Sequence, residues 1–187
     1  DTPYGSDIDL APKPQMVAGE EVSADGKTWL FTLRDGLLFH DGEKVRAQDV
    51  VPSINRWGQR NTYGQRLLAI ADEIAVVDDR RWRIRLKEPF PQMQYALSQG
   101  CYVMPERMAM VPASQAVKEF VGSGPFVFQA REWVSGVRSV YTKFDQYVPR
   151  QEAPSNTSGG KVVNFERVEW VIQPDPGTGA SALMAGE

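Results

Sequence analysis

The sequence predicts an α+β protein, in which short strands joined by tight turns pack against amphipathic helices. Residues 28–34 alternate apolar with other side chains, the period of two that a strand with one buried face shows. Residues 47–60 then place apolar side chains at spacings of three and four, which is typical of a helix with one buried stripe. With 187 residues, the chain is long enough for one large domain or two small ones.

Turns are predicted at three Asp-Gly pairs, because glycine adopts positive φ without steric cost and aspartate bonds to its own backbone. These pairs fall at residues 25–26, 35–36 and 41–42, with two short strands predicted between them. Residues 1–20 are rich in Asp, Pro and Gly, which indicates an extended segment. Arg46 offers no acceptor for a helix cap, and Pro52 lies inside the predicted helix. These two residues predict a kinked or late-starting helix.

The rest of the chain is predicted to form further short helices and strands. For residues 1–120 we expect a mixed sheet with flanking helices. Further helices are predicted at residues 64–71, 92–99, 114–121 and 178–184. Further strands are predicted at residues 73–77, 82–86, 125–132, 137–142 and 162–173. Residues 151–160, QEAPSNTSGG, have the composition of a surface loop.

Composition and charge exclude several classes of protein. The net charge of −3 and pI near 5.3 argue against a nucleic-acid-binding surface, which normally carries a basic excess. The lone cysteine, Cys101, excludes an intrachain disulfide and a cysteine-rich zinc site. No apolar run approaches the roughly 20 residues that a membrane-spanning helix needs.

Three motif blocks identify a family resemblance. The first joins LRDGLLFHDG at residues 33–42 to AQDVV at residues 47–51, the second is GSGPFVF at residues 122–128, and the third is the closing ALMAGE. In this order the blocks resemble the family 5 extracellular solute-binding proteins, the peptide-type receptors of ABC importers. The resemblance extends over nearly the whole chain.

This resemblance implies a periplasmic binding protein type II-like fold, of which the chain is expected to be a fragment. Residues 1–120 would form a small mixed α/β lobe, and residues 121–187 the truncated start of the adjacent, hinge-side lobe. The first residues, DTPYGSDIDL, show no signal-peptide pattern, so the leader is expected to lie outside this chain. The implied location is periplasmic or extracytoplasmic.

The implied function is capture of a peptide-like solute by closure of two lobes, followed by delivery to the ABC permease. The expected partners are a small-molecule or short-peptide ligand and the membrane subunits of the permease. A monomer is expected, with no cofactor, no metal, no nucleic-acid partner and no catalytic activity. Sugars, opines and nickel complexes stay open as alternative solutes.

Three residues are candidates for ligand binding. Tyr63 follows the first helix and an Asn-Thr dipeptide, as a ligand-facing tyrosine does in some oligopeptide receptors of the resembled family. Tyr102 and Cys101 precede the predicted crossing between lobes, where they are placed to line the cleft floor. The structural explanation of Tyr63 is an exposed tyrosine in a loop. The structural explanation of Cys101 and Tyr102 is a hydrophobic strand in the core.

Two other classes of function stay open. A hydrolase would use His40, the one histidine, which stands beside Asp41, but the sequence offers no supporting set of catalytic partners. Ser123 lies in GSGP, which lacks the G-x-S-x-G spacing of a nucleophile elbow. The second alternative is a free-standing protein-interaction module with an exposed apolar surface.

Overall fold

A computed structural model gives the arrangement of residues 1–173 and 175–186, and within them the chain forms the predicted α+β architecture. Glu187, the last residue of the ALMAGE block, lies outside the described residues. The strands are β1 (Tyr4–Ser6), β2 (Pro12–Pro14), β3 (Val17–Val22), β4 (Thr28–Leu33), β5 (Ala71–Val76), β6 (Arg81–Leu86), β7 (Phe126–Phe128), β8 (Arg138–Lys143) and β9 (Arg167–Val171). The helices are α1 (Ala47–Gly58), α2 (Thr62–Ile70), α3 (Met93–Ser98), α4 (Glu106–Ala109) and α5 (Pro176–Ala185).

The main sheet has the strand order β3-β4-β6-β5, and each of its pairings is antiparallel. The expectation of a mixed sheet is therefore wrong, because the β5–β6 hairpin folds back onto β4 and returns the chain in the opposite direction. The predicted alternation is confirmed, since one side of β4 and β6 is buried. There, Phe31 stacks between Trp29 and Trp82, with ring centroids 5.8 and 5.0 Å away. Burying each such side chain stabilises the fold by about 1.5–3 kcal/mol.

Helix α1 begins at Ala47, so the predicted late start is wrong. The side chain of Asp49, at the third helical position, forms the reciprocal half of a capping box, because its Oδ2 accepts a hydrogen bond of 2.9 Å from the backbone N–H of Arg46. The other oxygen, Oδ1, accepts a bond of 2.8 Å from the backbone N–H of Glu106 at the start of α4. One buried carboxylate thus starts α1 and fixes α4 beside it.

Two predicted elements do not form. Residues 37–40 make only a single bridge, between Leu38 and Lys44, in place of the second short strand. Residues 114–121 are not helical. Carbonyl groups in and just before this segment accept from two arginines: Arg56 of α1 donates to Val111 O and Gln115 O, and Arg60, just after α1, donates to Ala113 O. Those contacts hold the segment in an irregular path.

The second sheet has the order β7-β8-β9 and is also antiparallel. The strand predicted at residues 162–173 forms only in its later half, as β9. Before β9, residues 147–160 return to the start of the chain: Thr157 Oγ1 accepts from the N–H of Ser6 at 2.8 Å, and Arg34 donates to Val148 O at 2.8 Å. The division into lobes at residue 121 stays a prediction.

Candidate functional site

His40 holds the stretch that follows the irregular segment, residues 122–124. Its ring Nε2 lies 2.9 Å from the carbonyl oxygen of Gly124, while its Nδ1 lies 3.2 Å from the N–H of Gly122. Its backbone N–H also donates to Gly122 O, at 2.8 Å, and its ring meets Phe144 edge-on. The neutral tautomer with the proton on Nε2 satisfies both ring nitrogens, as donor to Gly124 and acceptor from Gly122.

This arrangement leaves His40 without a free nitrogen for proton transfer. Burial is the main cause that lowers the pKa of the imidazole, in spite of the hydrogen bond to Gly124 and the nearby Asp41, both of which raise it. Within the described residues, His40 shares no hydrogen bond with Ser123, whose hydroxyl oxygen is instead 3.1 Å from the backbone nitrogen of Asp1. The geometry is that of a structural histidine, and it gives the hydrolase alternative no supporting contact.

A compact ionic cluster lies next to residues 122–124. The carboxylate of Asp1 is buried, with Oδ1 at 2.5 Å from Nζ of Lys161 and Oδ2 accepting from the hydroxyl of Tyr147 at 2.9 Å. The backbone N–H of Val103 donates to the carbonyl oxygen of Asp1 at 3.0 Å. Tyr147 and Lys161 therefore meet at the carboxylate of Asp1, while Val103 meets its backbone carbonyl.

Tyr63 stands in the first turn of α2, where it is 40% exposed. The side chain of Asn61 caps this helix by accepting from the N–H groups of Tyr63 and Gly64, at 2.9 and 3.3 Å, and its amide donates to Gln99 O. The ring of Tyr63 meets Tyr95 of α3 edge-on, with centroids 5.4 Å apart. A fixed and partly exposed aromatic surface results.

Cys101 and Tyr102 are neighbours that face opposite ways. Cys101 is fully buried in the core, and burial raises the pKa of its thiol. Tyr102 is 66% exposed. Among the described residues, no aromatic contact joins Tyr102 to Tyr63, so the structure does not bring the three candidates together. Their roles in ligand binding stay predictions, and the burial of Cys101 counts against direct contact with a ligand.

The described part of the chain contains no group of three or more His, Cys, Asp or Glu side chains arranged to hold a metal ion. Across residues 1–173 and 175–186, no helix combines the length and apolar character needed to span a bilayer.

Comparison with known families decides between the remaining classes. Residues 11–187 match the family described as bacterial extracellular solute-binding proteins, family 5 middle. The chain belongs to this family. The resemblance predicted from the three motif blocks is therefore confirmed, and the named relatives are solute-binding proteins.

The similarity extends to individual proteins and to a solved structure. The chain is 42% identical, over its whole length, to the probable peptide ABC transporter periplasmic-binding protein y4tO of Sinorhizobium fredii. It is 27% identical to the glutathione-binding protein GsiB of Salmonella typhi, over 98% of its length. NikA from Brucella suis, solved with Fe(III)-EDTA, superposes on 100% of the chain with a TM-score of 0.80 at 24% identity. The fold is the type II periplasmic binding protein fold.

The chain spans about a third of the length of these relatives: 36% of y4tO, 34% of GsiB and 36% of NikA.

The ionic cluster is the part of this region that sequence reasoning missed. Asp1, Tyr147 and Lys161 are separated by up to 160 positions, and each stands in a stretch without a recognisable motif. Only the return of residues 147–160 onto the first strands brings them together. No local pattern in the sequence signals that contact.

Proposed function

We propose that the protein is the extracytoplasmic solute-binding receptor of an ABC importer, which captures peptide-like solutes and delivers them to the permease. The observation that carries this proposal is the 42% identity, over the entire chain, to a protein named as a probable peptide ABC transporter periplasmic-binding protein. The similarity to glutathione-binding proteins supports the same class of solute, because glutathione is itself a tripeptide.

The proposed mechanism is closure of two lobes around the solute, with no bond chemistry. Residues 1–120 belong to one lobe and residues 121–187 begin the next, and the His40 contacts hold the crossing between them. Tyr63 and Tyr102 provide exposed aromatic surface for the solute, while Cys101 supports Tyr102 from the core. The receptor acts as a monomer, without a cofactor or a nucleic-acid partner.

The test is a thermal-shift screen of the complete gene product against tripeptides, glutathione, sugars, opines and nickel chelates. A peptide ligand present at 100 times its Kd stabilises the folded state by about 2.7 kcal/mol, which raises the melting temperature by several degrees. A shift with tripeptides or glutathione supports the proposal. A shift with only sugars, opines or nickel chelates, or with none of these solutes, contradicts the proposed solute class.

A further inference from the structure

The three Asp-Gly pairs of the sequence hold their glycine amides in different ways. The N–H of Gly26 donates a hydrogen bond across its turn to Ser23 O, at 2.8 Å. The N–H of Gly42 donates in the same manner to Phe39 O, at 2.9 Å. Within the part of the chain that the structure describes, the N–H of Gly36 donates to no acceptor. The middle pair therefore differs from the other two in having a free amide nitrogen.

The aspartate side chains of the first and third pairs are held as well. The carboxylates of Asp25 and Asp41 each accept from the backbone N–H two positions later, at 3.1 and 3.2 Å. Hydrogen bonds from Ser23 and from that N–H lower the pKa of Asp25. Burial raises the pKa of Asp41, but hydrogen bonds, chiefly that from Arg107 at 2.8 Å, lower it by more. Both carboxyl groups therefore stay ionised, and a carboxylate is a poor electrophile.

The carboxylate of the middle pair is held by one weak contact. The side chain of Asp35 is 86% exposed, and its Oδ1 lies 2.9 Å from Nη1 of Arg80. An ion pair with so much solvent around it contributes little, because water screens the charges. Gly36, with φ of +76°, has no Cβ to shield its nitrogen. The Asp35 carboxyl can therefore turn towards the nitrogen that follows it.

We propose that Asp35-Gly36 is a modification site, at which the aspartate isomerises to isoaspartate in the folded protein. The amide nitrogen of Gly36 attacks Cγ of the protonated Asp35 carboxyl, and the carboxyl OH leaves with the amide proton as water. Water then opens the five-membered imide. Cleavage of the new Cγ–N bond restores aspartate, whereas cleavage of the original peptide C–N bond leaves the main chain running through Cβ and Cγ. One water is released and one is taken up, so no oxidant, reductant or further reagent is needed.

Isomerisation at this turn would disturb its contact with residues 147–160. Gly36 lies against Val148, since a Cβ atom built on Gly36 would be 3.2 Å from Cγ2 of that residue. On the other side of the aspartate, Arg34 donates to Val148 O at 2.8 Å. An isoaspartyl residue adds one carbon to the main chain between these two contacts. We therefore expect the modified molecules to be less stable than the unmodified ones.

The experiment incubates the folded, complete gene product in mildly acidic buffer made with H₂¹⁸O. Each passage through the imide leaves one ¹⁸O at the aspartate, whichever bond the water breaks. Cleavage after lysine releases residues 28–44 as one peptide, which contains both Asp35 and Asp41 and so compares them internally by mass spectrometry. We expect label at Asp35 to accumulate at least about 10-fold faster, a factor that corresponds to about 1.4 kcal/mol, the scale of one hydrogen bond. Equal labelling, or faster labelling at Asp41, overturns the proposal.

The same incubation in urea separates the turn geometry from the local sequence. The two pairs are the same dipeptide, so their labelling rates should become similar once the turns unfold. If the folded-state difference persists unchanged in urea, the arrangement of the turn is not its cause, and the inference fails.

The matched variant is Asp35→Glu, which keeps the exposed charge but would have to form a six-membered imide, a much slower reaction. Label at residue 35 should disappear in this variant, while label at Asp41 stays as in the wild type. Urea unfolding after incubation should then show a less stable fraction in the wild type that Asp35→Glu lacks. Label that persists at residue 35 in the variant contradicts the imide route. An isomerised wild-type fraction as stable as the fresh protein contradicts the disturbed contact with residues 147–160. None of these outcomes depends on which solute the protein binds.

Discussion

His40 and Gly124 lie 84 positions apart, yet the ring Nε2 of the one is 2.9 Å from the carbonyl oxygen of the other. The Nδ1 atom accepts from the N–H of Gly122 in the same stretch. A protonated ring would carry a hydrogen on both nitrogens, and the one on Nδ1 would oppose the Gly122 N–H. The contact between these two parts of the chain therefore depends on a neutral imidazole.

The first prediction concerns pH. The folded-state pKa of His40 lies below its ordinary value of 6.5, chiefly because the ring is buried. The unfolded state therefore binds more protons in this range, and stability is full above about pH 6.5 and is lost as the pH falls towards the folded-state pKa. Urea unfolding at roughly pH 7.5 and pH 5.5 should show a lower free energy of unfolding at the acidic value.

The matched variant for this measurement is His40→Gln, whose amide offers a donor and an acceptor but does not titrate. The free energy of unfolding of this variant should change less between the two pH values than that of the wild type. Equal changes in both proteins would show that the pH dependence has another origin.

The second prediction concerns the carboxylate of Asp49, which accepts from the N–H groups of Arg46 and Glu106. Asp49→Ala breaks the capping box and leaves the N–H groups of Arg46 and Glu106 without their acceptor, so the free energy of unfolding should fall by about 1–3 kcal/mol. Asp145→Ala is the control, because that carboxylate is 82% exposed and 3.6 Å from Lys143. Its effect should stay within about 0.5 kcal/mol. Similar losses in both variants would contradict the capping role.

Sequence patterns correctly predicted those helices and strands that are determined by their own residues. The alternation in β4 and β6 and the apolar stripe of α1 each reflect a single buried face, so a local period is sufficient. For α1, the late start that Arg46 suggested is wrong, because the residue that satisfies the N–H of Arg46 stands three positions later, while the kink suggested by Pro52 stays a prediction.

The failures share a different cause, which is contact with distant residues. Residues 114–121 carry a helical pattern, but Arg56 of α1 and Arg60 just after α1 donate to the carbonyl groups of Gln115 and Ala113, at the beginning of that segment and just before it. The cluster of Asp1 and Lys161 depends in the same way on the return of a loop that looked like plain surface. Such contacts are set by tertiary packing, and no period of two or 3.6 residues encodes them.

The third prediction concerns the crossing of α1 and α2 at Gly64. A Cβ atom there would lie 2.5 Å from Gly58 Cα and 2.9 Å from the ring of Trp57. Gly64→Ala should therefore lower the free energy of unfolding by about 1–3 kcal/mol, since two packed backbones would have to separate. Gly19→Ala is the control, because its Cβ would meet nothing within 4 Å. Urea unfolding of both variants makes the comparison, and an unaffected Gly64→Ala protein would contradict the close approach.

The fourth prediction separates two interpretations of Cys101. A residue lining an open cleft reacts with iodoacetamide in the folded state, whereas a fully buried thiol with a raised pKa does not. We expect labelling, measured by mass spectrometry, to be slow in native buffer and fast in urea. Rapid labelling of the folded protein, lost on adding a peptide, would return Cys101 to the ligand-binding surface.

The last prediction tests Tyr63, the candidate whose geometry is best defined. Its ring is held edge-on by Tyr95, so it presents a fixed surface at little entropic cost on binding. In the complete gene product, Tyr63→Ala should weaken tripeptide binding by roughly 10-fold, the effect of losing about 1.4 kcal/mol of contact. Because the side chain is 40% exposed, the melting temperature without ligand should change little.

The control for Tyr63 is Ile8→Ala, which removes another exposed apolar side chain, 77% exposed, in the turn between β1 and β2. Tyr95→Ala should give an intermediate loss of affinity, because it frees the Tyr63 ring without removing it. If Tyr63→Ala binds tripeptides as tightly as the Ile8→Ala control does, Tyr63 is an exposed helix residue, and the aromatic surface that the solute meets lies elsewhere. A loss in Tyr63→Ala that Ile8→Ala does not show, with both folded proteins equally stable, assigns the contact to Tyr63, because removing an exposed apolar side chain elsewhere then has no such effect.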